Sequence, residues 1–183
     1  MKKTIVKYSV TLFLITLSVA ILLSYVNLLT RDKIAKISAK EAETARLEVV
    51  KSISYDDIIT TDYDNLWIAK SNEAVKGYIV NEKSQGYGGE IDIYVGMDNS
   101  FNITGVKIIS MSETAGLGTN AQSDSFLSQF IGKSKGVTYS KKTPDSNEIQ
   151  ALTGATVTTN AVCMGVANAI ELASEVAAEE GQK

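Results

Sequence analysis

The chain has 183 residues, 44% of them hydrophobic, with 13 glycines, one proline and a formal charge of −3. Cys163 is the single cysteine and histidine is absent, which excludes an intramolecular disulfide, Cys/His zinc sites, His-ligated haem, iron–sulfur clusters held by this chain alone and any triad that uses His. The acidic balance, with Glu171, Glu175, Glu179 and Glu180 gathered near the end, gives no basic, aromatic-interleaved surface for nucleic acid.

Lys2, Lys3 and Lys7 precede Tyr8 to Leu29, a stretch without a charged side chain. As a helix it is about 33 Å long, enough to cross a hydrocarbon core. It exceeds the apolar region of a signal peptide and runs into Thr30-Arg31-Asp32-Lys33 rather than a small-residue cleavage site, so it reads as an uncleaved anchor. The short tail carries only positive charge, which predicts the N-terminus inside and the remainder outside. The expected organisation is a cytoplasmic tail over 1–7, a transmembrane helix over 8–29, a juxtamembrane helix or stalk over 30–52, one domain over 53–178 and a tail over 179–183. The stalk has Ile34, Ile37, Ala45, Val49 and Val50 at partly amphipathic spacing and continues the span as helix.

Alternation over 74–82 and 90–98, clearest as Ile91, Ile93 and Val95 against Asp92, Tyr94 and Gly96, predicts strands. Asp98-Asn99-Ser100 supplies turn chemistry, and 101–111 returns as the hairpin partner. The cluster Gln85-Gly86-Tyr87-Gly88-Gly89 lacks the context of a dinucleotide fingerprint and reads as a tight loop. Ser112 to Asn120 forms a second loop with two glycines. Ser123 or Asp124 then caps a short helix through Phe126, Leu127, Phe130 and Ile131, stopped by Gly132. Lys133, Lys135, Lys141 and Lys142 read as solvated charge. Val162, Val166, Ala169, Ile170 and Ala173 mark a terminal helix to about Ala178, in which Cys163 is a small buried hydrophobe.

Before that helix, Leu152-Thr153-Gly154-Ala155-Thr156-Val157-Thr158-Thr159 sets four threonine hydroxyls around one glycine. A helix start exposes unpaired N–H groups and the positive end of the macrodipole, so a phosphate held there finds donors in place. The same run also makes an ordinary strand-to-helix turn with a capping hydroxyl. Thr158 or Thr159 can serve as cap and as phosphate donor. Tyr87, Tyr94, Met111 and Leu117 can pack on a flat ring, but aromatic and Met side chains on strand patterns are more often core, and Trp67 is a core candidate as well.

The run Thr153-Gly154-Ala155-Thr156 followed by Val157-Thr158 resembles the flavinylation sequence of the FMN-binding domain family, which includes the G subunit of Rnf ion-translocating ferredoxin:NAD oxidoreductases and the C subunit of the sodium-pumping NADH:quinone oxidoreductase. Glu113-Thr114-Ala115-Gly116-Leu117-Gly118 resembles that family's Glu-Thr-Pro-Gly-Leu-Gly loop, with Ala115 in place of the proline, and Gln150 stands where the family carries an aspartate. The resemblance implies an α+β fold, an N-terminal transmembrane helix followed by an antiparallel-sheet domain with flanking helices. It implies covalent FMN in phosphoester linkage to Thr156, with Thr153, Gly154, Ala155, Thr158, Glu113, Thr114, Gly116 and Leu117 around the cofactor and no metal site or catalytic side chain. A separate magnesium-dependent flavin transferase, other membrane subunits of an Rnf-type complex and membrane lipid are the implied partners. The chain is then an electron-carrier subunit of a membrane oxidoreductase rather than a stand-alone enzyme. Alternative expectations are the quinone-reductase C subunit and an anchored, non-redox binding or sensor module whose threonine-rich turn is only a cap.

Overall fold

A computed structural model of the chain describes residues 2–61 and 63–180. Its first element is α1, Lys2–Val49, a single helix through the expected span and most of the expected stalk. The chain divides into two units, Met1–Glu41 and Ala42–Lys183. In the first, the side chains of Leu12, Phe13, Leu14, Ile15, Ile21, Leu22 and Leu23 all face outward. The most apolar window of the helix has a mean hydropathy of 2.3 and no part of it is buried. By length and composition the helix can cross a membrane, and an outward apolar face of this extent needs lipid or another apolar partner around it. Of the expected tail 179–183, residues 181–183 lie outside the described residues, as does Met1 of the first tail.

The second unit is built on a five-stranded antiparallel sheet: β1 Asp57–Thr60, β2 Leu66–Ser71, β3 Ala74–Gln85, β4 Glu90–Asp98 and β5 Ile103–Ser110, paired in that order. The expected hairpin is β4–β5, with Ile93 opposite Ile108 and Val95 opposite Val106. Its turn is set by Asp98, whose carboxylate accepts the Ser100 and Asn102 amides at 2.8 and 2.9 Å. β1 and β2 have no counterpart among the elements that periodicity predicts. After β5 come a 3-10 turn, Gly118–Gln122, then α2, Asp124–Leu127, a further 3-10 turn, Ser128–Phe130, and the short parallel pair β6 Thr138–Ser140 and β7 Glu148–Gln150. Ser123 is the N-cap of α2 as expected, but its hydroxyl donates to Asn120 instead of accepting from the helix. α3, Thr156–Glu180, ends the described fold.

Alternation along the strands decides which side chains meet which helix. Leu66, Ile68, Tyr78, Val80, Ile93, Val95 and Ile108 point to one face and are covered by Val162, Val166, Ala169 and Ile170 of α3 and by Phe126 and Phe130. Cys163 belongs to this core, and burial pushes its thiol up to about 12.

The opposite face is not left to water. Ile79 and Tyr94 form a second core with Ala45 and Val49 of the last turns of α1 and Val50 just beyond it, flanked by Trp67, Ile58 and Ile109. The approach is close because Gly96 and Gly105, paired across β4 and β5, leave room for Val49; a Cβ on Gly96 would lie 2.3 Å from the Val49 carbonyl oxygen. That carbonyl, one of those a helix C-terminus leaves without a partner, accepts the Thr104 hydroxyl at 2.7 Å. Trp67 stacks on Tyr94 at 5.8 Å, and the Arg46 guanidinium sits 4.7 Å over the Trp67 ring. Tyr94 and Trp67 are thus core, and Ala42 to Val50 fall within the second unit.

Candidate functional site

Antiparallel pairing brings three loops to one end of the sheet. Gln85 pairs with Glu90 and Asp92 with Ser110, so the glycine loop between β3 and β4 and the loop that leaves β5 emerge side by side. α3 starts beside them. Gly154 has a φ of +75°, within a turn closed by the Ala155 amide donating to the Leu152 carbonyl at 3.1 Å; a left-handed residue there favours glycine. The loop after β5 is tied to itself, since the Gly116 amide donates to the Thr119 hydroxyl at 2.9 Å and the Asn120 side chain to the Gly116 carbonyl at 3.0 Å.

Between these loops lies a cleft of about 480 Å³, lined by Tyr87, Glu113, Thr114, Leu117, Gly118 and residues 154–158, a volume within the range of small-molecule sites. Seven of the nine expected cofactor-binding residues line it: Glu113, Thr114, Leu117, Gly154, Ala155, Thr156 and Thr158. Thr153 and Gly116 do not, and both are exposed. Tyr87, 74% exposed, and Val157, 53% exposed, complete the apolar rim with Leu117. Val157 is not singled out by sequence; only its place in the first turn of the helix marks it. Tyr94 and Met111 pack in the cores instead.

The four threonines have separate fates. Thr159 is fully buried; its hydroxyl donates to the Ala155 carbonyl at 2.9 Å and accepts the Leu152 amide at 3.1 Å. It secures the turn and reaches no ligand. Thr158, 1% exposed, donates its hydroxyl to Glu113 Oε2 at 2.5 Å. Neither is the helix cap, because the Thr159 amide donates to the Ala155 carbonyl, which makes Ala155 the N-cap residue. An alanine cap has no side-chain acceptor to offer the first-turn amides. Thr156 opens α3 at the cleft, half-buried, with a hydroxyl that makes no hydrogen bond among the described residues.

The family sequence model of the FMN-binding domain matches residues 86–171, which contain the three loops and the start of α3. A second model, the RnfG N-terminal region, matches residues 1–49, a stretch that includes all of α1. The chain is 33% identical over 195 residues to the G subunit of the Na(+)-translocating ferredoxin:NAD(+) oxidoreductase complex of Acetobacterium woodii, covering 93% of this chain and 92% of that one. The chain belongs to the family of Rnf-complex G subunits. Other G-subunit relatives are the ion-translocating oxidoreductase complex protein of Methanosarcina acetivorans, 26% identical with 98% of both chains covered, and the proton-translocating ferredoxin:NAD(+) oxidoreductase complex protein of Clostridium ljungdahlii, 41% identical over 108 residues, covering 57% of this chain and 58% of that one. Among solved structures, the C subunit of the Na(+)-translocating NADH-quinone reductase of Parabacteroides distasonis overlays with a TM-score of 0.49 at 21% identity, covering 57% of each chain. Membership in the G-subunit family, shared by both ends of the chain, favours that assignment over the C-subunit alternative.

The cleft of this RnfG-family chain fits FMN on its own chemistry. A helix of 25 residues points its N-terminus at the cleft, and the amides of its first turn have no intrahelical acceptor. Among the described residues no Lys or Arg lines the cleft, so a phosphate here is met by backbone dipoles and not by a countercharge. The apolar rim of Tyr87, Leu117 and Val157 suits a flat aromatic ring.

Proposed function

We propose that this chain is a membrane-anchored electron-transfer subunit of an Rnf-type ferredoxin:NAD oxidoreductase coupled to ion translocation, carrying FMN as a phosphoester on Thr156. The observation that carries the reading is Thr156 itself: a half-buried, uncommitted hydroxyl in the first turn of α3, inside the cleft. Bound there, FMN supplies one- and two-electron chemistry, and the protein supplies placement and a local field. Thr153, although equally uncommitted, lies off the cleft.

The chain has no histidine to activate a threonine, so attachment is assigned to a separate flavin transferase. α1 is the single membrane span, with the domain on the extracytoplasmic side, where a covalent tether keeps the cofactor from being lost. Electrons then pass to and from other membrane subunits of the complex.

Intact mass of the purified protein should exceed the chain mass by one FMN phosphoester, and in-gel flavin fluorescence should survive denaturation. Thr156→Val should abolish both. Fluorescence unchanged in that variant would sink the assignment to Thr156, and wild type with neither the mass increment nor the fluorescence would leave the anchored binding module in its place.

A further inference from the structure

A sequence with four threonines in the run Thr153 to Thr159 needs something that directs the modification to one of them. Resting on the covalent reading above, we infer that Glu113 is the positioning residue that makes Thr156, and not Thr158, the acceptor: its carboxylate holds the Thr158 hydroxyl and leaves Thr156 as the one uncommitted hydroxyl in the first turn of α3.

The hydroxyls on α3 account for this directly. Thr159 has its proton on the Ala155 carbonyl and a lone pair on the Leu152 amide. Thr158 lines the same cleft as Thr156, one helical step beyond Val157, and differs in that its proton is on Glu113 Oε2 at 2.5 Å. The other oxygen, Oε1, accepts the Gly88 amide at 2.9 Å, so the carboxylate cannot swing away from Thr158 without breaking a second bond. Hydrogen bonds to an ionised acceptor are the strong ones. The carboxylate has a prepared seat: a Cβ on Gly86 would come within 2.4 Å of Oε1, and one on Gly118 within 2.7 Å of Oε2 and 2.9 Å of the Thr158 hydroxyl. Two glycines on two different loops thus clear the volume that Glu113 and Thr158 share. No Lys or Arg is paired with Glu113 among the described residues, so the carboxylate is free of a competing ion pair.

Attachment forms a bond between a threonine oxygen and the flavin phosphorus, breaks the phosphoanhydride of a flavin dinucleotide donor, releases a nucleoside monophosphate and moves the hydroxyl proton to a base. No electron changes hands. An oxygen whose proton is already donated to Glu113 sits 1% exposed and turned toward that carboxylate. A phosphorus approaching it would meet the negative charge of Glu113 first, whereas Thr156 has no such guard.

The test co-expresses the full chain with a flavin transferase, digests it and locates the FMN phosphoester by tandem mass spectrometry. Wild type and Glu113→Gln should carry FMN on Thr156 with only a trace on Thr158, since the amide oxygen of glutamine still accepts the Thr158 hydroxyl. Glu113→Ala should raise the Thr158-linked share roughly tenfold or more, the scale of freeing a charge-assisted bond. Thr156→Val should be unlabelled, and Glu113→Ala/Thr156→Val should regain label on Thr158. Glu113→Asp, one methylene shorter, gives the same readout should the alanine variant lose its cooperative melt. Label confined to Thr156 in Glu113→Ala and Glu113→Asp, or an unlabelled but folded double variant, overturns the inference. Wild type without FMN on Thr156 overturns instead the reading beneath it.

Discussion

Gly96→Ala probes the seat of α1 on the sheet with a single methyl group. The new Cβ would stand 2.3 Å from the Val49 carbonyl oxygen, 2.7 Å from its carbon and 2.9 Å from its Cβ, where ordinary contact begins at 3.4 Å. Backbone atoms cannot rotate aside, so the end of α1 must retreat by roughly 1 Å, an overpacking that costs about 1–3 kcal/mol. The retreat also strains the bond from the Thr104 hydroxyl to that carbonyl, a further loss of about 1 kcal/mol. Alanine recovers about 0.5–1 kcal/mol over glycine in a strand. The net of about 2 kcal/mol predicts a melting temperature lower by roughly 4–8 °C for a domain of this size. Trp67 is the only tryptophan and lies in the core that α1 completes, so its emission in detergent-solubilised full chain reports the loss directly. Gly105→Ala, whose Cβ would meet Val49 Cα and oxygen at 2.8 Å, should shift less. An unchanged melt and emission in Gly96→Ala, or the reverse order of the two variants, would refute the close-packed seat.

Thr159→Val removes the hydroxyl that holds both ends of the turn and should cost about 1–3 kcal/mol, read as a lowered melting temperature. It leaves Thr156 in place, so covalent flavin should persist at reduced yield. Asp98 is pushed up by burial, but the Asn102 side chain and amide and the Ser100 amide outweigh that and hold it below the usual carboxylate value. Its contribution is therefore present above the unfolded pKa of about 3.9 and lost as pH falls through the lower folded value. Acid unfolding followed by Trp67 emission should be less steep at low pH in Asp98→Asn. Cys163, with its thiol near 12, should alkylate at pH 8 roughly a thousandfold more slowly in native protein than in denaturant; equal rates would contradict its place beneath α3.

Much of this architecture can be read from residue order, for reasons that differ by element. The β4–β5 hairpin is announced by strict alternation and an Asp-Asn-Ser turn, and α3 by its apolar spacing. β1 and β2 carry Asp57, Thr60, Lys70 and Ser71 among their few residues, and strands that short have no period to detect. β6 and β7 are three residues each, in the lysine-rich stretch that reads as solvated loop. Gly96 stands opposite the apolar positions of the β4 alternation, and nothing local signals that Val49 returns to cover it and Tyr94. The cleft is legible as two motifs, yet the bonds from Thr158 and Gly88 to Glu113 join positions 45 and 25 residues apart, a distance over which spacing rules are silent.

The seat of Val49 bears on how the chain is made. Ala45, Val49 and Val50 leave the ribosome before any strand they pack against, and the Thr104 hydroxyl that caps the helix follows 55 residues later. The helix end therefore precedes in synthesis every strand that packs on it, from Ile58 in β1 to Ile109 in β5. α3, the last element of the described fold, covers the other face and completes the cleft that Thr156 and Glu113 both line. That cleft has all of its lining only once the final helix has been made, so a ligand that needs the whole cleft meets a finished chain.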